Sequence, residues 1–163
     1  MEIQLSKEIK TIIDDNINIA GLNIQKHSVS HGRFYACIRS GKENNYRRIY
    51  LHRWLVRCPE DMEVDHINGD TLDNRLSNLR ICSRQNNTCN TSARCHSKQP
   101  FKGVQKTSKF KWMARITINK KCIRLYSYNT AEDAARAYDE MAKKYHGEFA
   151  KLNFSWPEKE LTP

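Results

Sequence analysis

The stretch from Thr130 to Gly147, TAEDAARAYDEMAKKYHG, constrains the fold more than any other part of the chain. Thr130 is an N-cap with Asp133 three residues on, in the manner of a capping box, and Gly147 supplies a terminator. Between them Ala134, Tyr138, Met141 and Tyr145, with Ala135 and Ala142 beside them, form one apolar stripe at helical spacing. A helix that is apolar on one side must bury that side, and the residues before it offer a sheet. Lys102 to Lys106, Lys111 to Asn119 and Cys122 to Tyr128 read as three strands, the last two joined by an Asn119-Lys120-Lys121 turn. Trp112 alternates with Ala114 and Ile116, so it is read as core.

The preceding residues suggest a second small unit. Short strands such as Phe34 to Arg39 are expected within residues 1 to 44, and Tyr46 to Arg57 suits a strand running into a helix. Asn68-Gly69-Asp70 is a turn signal because Asn and Gly tolerate positive φ. Ser83 is an N-cap for a short helix that places Asn87 and Asn90 on one face. Lys98-Gln99-Pro100 reads as the linker, since Pro excludes further helix. The expected fold is α+β, with one unit over 1–97, a second over 98–156 and a tail over 157–163.

With 163 residues, 39% of them apolar, the chain can bury one ordinary core or two small ones. No apolar run approaches a membrane span, and MEIQLSKEIK lacks the apolar segment of a secretory signal, so an intracellular, cytoplasmic protein is expected. Six cysteines (Cys37, Cys58, Cys82, Cys89, Cys95 and Cys122) contain no C-x-x-C pair, which argues for reduced thiols. A zinc site from Cys82, Cys89, Cys95 and His96 has spacings that match no common pattern.

Charge placement identifies the partner. From Asn74 to Ala131 there are thirteen Lys or Arg and no Asp or Glu, so nothing within those 58 residues neutralises the field. Residues 97 to 163 carry a net +7 against +3 for residues 1 to 96. Nucleic acid is the natural counterpart, because neutralised phosphates release counterions. A polyanionic membrane surface is disfavoured for want of an amphipathic basic helix.

Chemistry resides in residues 65 to 90, DHINGDTLDNRLSNLRICSRQNNTCN. Asp65, His66 and Asn87 are residue types that can assemble a one-metal phosphodiesterase centre. An isolated Asp-His pair is ordinarily surface, but this one sits in order with Asp73-Asn74-Arg75, Asn78-Leu79-Arg80 and Asn87. By these four linked submotifs, the region from about Tyr46 to Thr91 resembles HNH nucleases of the phage and mobile-intron type. The region from about Phe101 to Phe154 is similar to the plant ethylene-response-factor (apetala-type) DNA-binding domain. That likeness rests on Lys102-Gly103-Val104, Trp112-Met113-Ala114-Arg115-Ile116, TAEDAARAYD and Leu152-Asn153-Phe154. Residues 1 to 44 lie outside both.

The first resemblance implies a ββα-metal fold with Asp65 and Asn87 as metal ligands and His66 as general base. Asn86 is the competing ligand, and Asn78, with Asn74 able to share the task, pins the loop between the strands. An ordinary imidazole pKa of about 6.5 leaves much of His66 unprotonated near neutral pH. Neighbouring residues in a strand point to opposite sides, so Asp65 can face metal while His66 faces water. Asn in place of the family's last His presents a harder oxygen, so magnesium or manganese is expected over zinc or nickel. His52 is read as a packing or phosphate-contacting residue. Arg75, Arg80 and Arg84 either grip phosphates or pair with Asp70 or Asp73.

The second resemblance implies a three-stranded sheet laid into the major groove of double-stranded DNA, with Lys102, Lys106, Lys109 and Lys111 on phosphates and Arg115 and Arg124 suited to guanine edges. Gln105, Thr107, Thr117, Cys122 and Tyr126 depart from the plant pattern, so its target sequence does not carry over. The expected activity is that of a site-specific homing endonuclease from a phage or mobile element. One centre per chain nicks one strand, and a double-strand break needs a homodimer or sequential action. A catalytically silent DNA-binding regulator and an RNA-directed nuclease are the alternatives.

Overall fold

Alternation of apolar and polar residues across 24–50 produces a three-stranded antiparallel sheet in the order β3-β4-β5, made of β3 (Ile24–Ser28), β4 (Phe34–Lys42) and β5 (Asn45–Tyr50). The computed structural model describes residues 1–29, 33–42, 45–91, 101–108, 111–119 and 121–155, the side chains of Lys42, Asn45 and Ser127 excepted. The chain divides into two compact units, Met1–Thr88 and Cys89–Pro163. The linker reading at Lys98-Gln99-Pro100 and the tail over 157–163 fall outside the described residues.

In the first unit, β1 (Glu2–Gln4) and β2 (Lys10–Ile12) form a hairpin. The strand-to-helix transition expected after Tyr46 falls at Tyr50, where β5 gives way to α1 (Leu51–Leu55). Ile13, Ala36, Ile38 and Leu51 form the core, with Ile24 and Leu55 packed against it. Then come β6 (Glu63–His66) and β7 (Leu79–Cys82), paired antiparallel with Asp65 opposite Arg80 and His66 opposite Leu79. Ser83 begins α2 (Arg84–Cys89), its hydroxyl accepting the Asn86 amide N–H at 3.3 Å. Strand β2 is stitched to the loop between β6 and β7: the Ile12 amide donates to Leu72 O at 2.9 Å, and the Asn74 amide donates to Ile12 O at 2.8 Å. That stitch buries Thr11 beside Asn74.

The second unit follows the sequence closely. Strands β8 (Val104–Ser108), β9 (Lys111–Ile118) and β10 (Lys121–Tyr128) make an antiparallel sheet in the order β10-β9-β8. Lys121 pairs with Ile118, so the hairpin turn is one residue shorter than read from the sequence. Asn119 takes φ +48°, the left-handed conformation that two-residue hairpin loops demand. Helix α3 (Ala131–His146) is capped by Thr130, whose side chain accepts the Asp133 N–H at 3.0 Å, an interaction worth about 1 kcal/mol.

Ala134, Ala135, Tyr138, Met141 and Ala142 are buried against the sheet. Tyr145 is instead 46% exposed, so the stripe loses its last member: burial stops at Ala142. Asp139 lies in the same buried face, where its carboxylate accepts the backbone N–H groups of Asn153 and Phe154 and the Asn153 amide. Gly103 takes φ +74°, and a Cβ there would lie 2.0 Å from the Tyr138 ring, so the turn leading into β8 approaches the helix as only glycine permits. No helix among the described residues is long and apolar enough to cross a membrane.

Candidate active site

The site is built on β6, whose alternation sends Glu63 and Asp65 to one face and Val64 and His66 to the other. On the His66 face, the imidazole Nε2 lies 3.1 Å from Asn74 Oδ1. The amide Nδ2 of Asn74 donates to Thr11 Oγ1 at 2.8 Å, and the Thr11 hydroxyl donates to Leu72 O at 2.7 Å. This chain fixes every proton. Thr11 spends its hydrogen on Leu72 and presents a lone pair to Asn74, which forces Oδ1 toward the imidazole and makes Nε2 the N–H donor. The lone pair of neutral His66 therefore resides on Nδ1. Thr11 and Asn74 are both fully buried, so water does not compete for these bonds.

Burial lowers the pKa of His66 below the ordinary imidazole value, opposed by its bond to Asn74 and by the neighbouring carboxylates of Asp65, Asp70 and Asp73. His52 packs edge-on against it, with ring centroids 5.1 Å apart, and stacks on Tyr50 at 5.3 Å. Its Nδ1 is buried without a hydrogen-bond partner, and burial depresses its pKa to about 3, so it is a neutral packing residue.

On the opposite face, Asp65 Oδ2 accepts from Arg80 Nε at 2.8 Å and from an Arg80 terminal nitrogen at 2.7 Å. Asn87 Nδ2 donates to Glu63 Oε2 at 2.6 Å. A carboxylate only accepts, so Glu63 claims the NH2 end of the Asn87 amide and turns its oxygen end away from Glu63. Glu63 and Asp65 are two residues apart along the strand, about 7 Å by strand rise, so Asn87 is brought to the carboxylate-bearing face. Asp65 and Asn87 offer hard oxygen donors, a pair that suits magnesium or manganese. The monovalent guanidinium of Arg80 sits on the oxygen that a doubly charged ion would contest. Among the described residues no group of three or more His, Cys, Asp or Glu converges on one point, and Cys37, Cys58, Cys82, Cys89 and Cys122 form no disulfide. Cys95 and His96, needed for the zinc alternative, lie outside the described residues.

The other candidates divide. Asn78 Oδ1 accepts the Asn68 amide N–H at 3.0 Å, and its Nδ2 donates to Asp73 O at 2.7 Å, spanning the loop between β6 and β7. Asn74, expected to share that task, is turned to His66 because the β2 stitch brings Thr11 to its other end. Arg75 makes a two-pronged pair with Asp73. Arg80 pairs with Asp65 rather than with Asp70 or Asp73, since the strand register sets them opposite. Arg84 is largely exposed, 3.9 Å from Glu63.

In the second unit, Arg115 and Arg124 face each other across β9 and β10, both exposed. Lys106 lies over the Trp112 ring at 5.4 Å, and Lys111 donates to Asn129 at 2.9 Å. Trp112 itself is partly buried against Val104, Ala134 and Ala135. Lys102 departs from the expected phosphate contact: it is partly buried, donates to Cys89 O at 2.6 Å, and burial lowers its pKa. Lys109 lies outside the described residues. Sequence reasoning missed Thr11 and Glu63. Glu63 was visible as the residue two before Asp65, on its face; Thr11 had no signal, being 63 positions from the side chain it holds.

The helix that follows two paired strands, with Asp, His and Asn distributed over them, defines the class. Residues 50–89 match the HNH endonuclease family model. The chain thus contains a region that matches HNH endonucleases, with an ethylene-response-factor-like region C-terminal to it, and HNH endonucleases generally use a divalent metal. Among individual proteins, it is 35% identical over 113 residues to an uncharacterized HNH endonuclease of Acanthamoeba polyphaga mimivirus, covering 69% of this chain and 58% of that one. It is 43% identical over 61 residues to an ethylene-responsive transcription factor of Medicago truncatula, covering 36% of this chain and 26% of the relative. A dehydration-responsive element-binding protein of Arabidopsis thaliana is 41% identical over 61 residues, with 36% and 18% covered. The chain thus spans little more than half of the viral relative. No solved structure matches it.

Proposed function

We propose that the protein is a site-specific, homing-type endonuclease that hydrolyses phosphodiester bonds of double-stranded DNA, with the part up to residue 97 cutting and residues 98–156 positioning the cut. The observation that carries this reading is the proton-ordered chain Leu72–Thr11–Asn74–His66, which holds a buried neutral imidazole with its lone pair on Nδ1. His66 takes a proton from the attacking water; the water oxygen bonds to phosphorus, the bond to the 3′ oxygen breaks, and a solvent proton completes the 3′ hydroxyl, leaving a 5′ phosphate. Asp65 and Asn87 hold a magnesium or manganese ion that, when bound, stabilises charge on the phosphate and the leaving oxygen. Asn87 is favoured over Asn86 as ligand because Glu63 has already oriented its amide. In this reading Arg84 contacts phosphates near the cut, Arg75 does so only on leaving Asp73, and Lys106, Lys111, Arg115 and Arg124 meet the recognition duplex.

The seat of Arg80 on Asp65 is the observation that favours the rival reading of a silent DNA-binding regulator. Supercoiled plasmid incubated with the protein and magnesium, with chelator, and with His66→Ala decides between them. Nicking in the first tube alone supports the nuclease; DNA shifted in a gel yet intact in all three supports the regulator. A double-strand break needs a homodimer, with one centre per strand, or sequential nicking.

A further inference from the structure

The sheet β3-β4-β5 buries one face fully and the other only in part. Ala36 and Ile38 enter the core, so alternation turns Tyr35, Cys37 and Arg39 to the other side, where register sets Tyr35 opposite His27, Cys37 opposite Tyr50, and Arg39 opposite Arg48. On this second face Cys37 is buried, and Tyr46 and Arg48 are exposed at one end. Ring centroids lie 5.8 Å apart between His27 and Tyr50 and 5.4 Å apart between Tyr35 and Tyr50, and the row continues through His52 to His66.

Toward the other end two cations meet. The Arg39 guanidinium lies 4.2 Å from the Tyr46 ring centroid and that of Arg48 lies 5.9 Å from it. Around them is a hollow of about 50 Å³ lined by Gln25, Lys26, Cys37, Arg39, Tyr46 and Arg48, room for more than one water molecule. The three strands contain Lys26, Arg39, Lys42, Arg47 and Arg48 and no Asp or Glu, so their charge is uniformly positive. Planar guanidinium groups backed by an aromatic ring are suited to phosphate oxygens, and stacked rings suit a nucleic-acid strand.

We propose that the exposed end of this face grips the backbone of the DNA strand beside the bond to be cut, Arg39 and Arg48 taking one phosphate between them, with the row of rings tying that end to His66. Its place beside the scissile bond rests on the nuclease reading; the phosphate grip does not. The test uses the full chain, a labelled duplex DNA for binding across a salt series, and supercoiled plasmid for nicking. Arg39→Gln/Arg48→Gln is expected to lower the slope of log affinity against log salt by about 1, at roughly 0.9 per lost phosphate contact, and to raise KM for plasmid about tenfold with the loss confined to KM. Arg39→Lys/Arg48→Lys keeps the slope but weakens binding, because the planar fork is gone. Lys7→Gln, on an exposed loop in the same unit, controls for net charge. The proposal is overturned if the Gln pair, melting at the wild-type temperature or above, keeps the wild-type slope and KM, if Lys7→Gln causes the same loss, or if the slope changes on duplex RNA and not on DNA. Wild-type protein that binds but never nicks ends the nuclease reading, while the slope still decides the grip.

Discussion

Thr11→Val tests the ordering of the imidazole most directly. Valine matches threonine in shape, so no cavity opens, but the side chain neither accepts from Asn74 Nδ2 nor donates to Leu72 O, bonds of 2.8 and 2.7 Å at a fully buried site. Leaving two buried polar groups unsatisfied costs about 1–3 kcal/mol each, so a loss of about 2–6 kcal/mol is expected. In a domain of this size that lowers the melting midpoint by roughly 10 °C or more. The amide of Asn74 is then no longer held with Oδ1 toward His66, and the imidazole loses both its fixed tautomer and its aim. The expected result is a fall in kcat of about a hundredfold with KM unchanged, within the range that a positioned base contributes. Nitrogen-15 NMR of the histidine ring should show Nε2 protonated in the wild type and a mixture in the variant. Thr11→Ser, which keeps the hydroxyl, should restore both kcat and tautomer. A Thr11→Val protein that melts early yet retains its kcat and a pure Nε2–H signal would falsify the relay and leave Thr11 a packing residue.

Two other expectations concern the same strand pair and its surroundings. Glu63→Ala removes the acceptor that orients Asn87, so the magnesium concentration for half-maximal nicking should rise about tenfold, as for other outer-shell partners of a metal ligand, and an unchanged requirement sinks this role. His52, neutral when folded because its pKa is held near 3 against 6.5 unfolded, makes the unfolded state bind more protons between those values. Stability is therefore full above pH 6.5 and falls toward pH 3 by about 1.4 kcal/mol per pH unit, and His52→Phe should flatten that part of a urea-melt pH series; an equally steep series in the variant assigns the slope to other groups.

Local sequence fixed those elements whose signals lie within a few residues. Helix α3 was legible because a capping Thr, a 3.6-residue apolar period and a terminating Gly all act along one turn or two. Opposite faces for Asp65 and His66 follow from the period of a strand, and Ser83 announced α2 on the ordinary rules of helix starts. The nuclease motif was legible as an order of residue types. Contacts between distant segments were not. Thr11 reaches Asn74 only because β2 docks on the loop after β6; Arg80 takes Asp65 because antiparallel register puts them opposite; Asn74 leaves the loop to hold His66; Lys102 is drawn to a backbone carbonyl. Each depends on which chain segments become neighbours in space, and a pairing across sixty residues leaves no trace in the periodicity of either partner. The sequence by itself determined which chemistry this chain could carry, while tertiary packing decided which nitrogen of His66 bears the lone pair and which side chains hold it there.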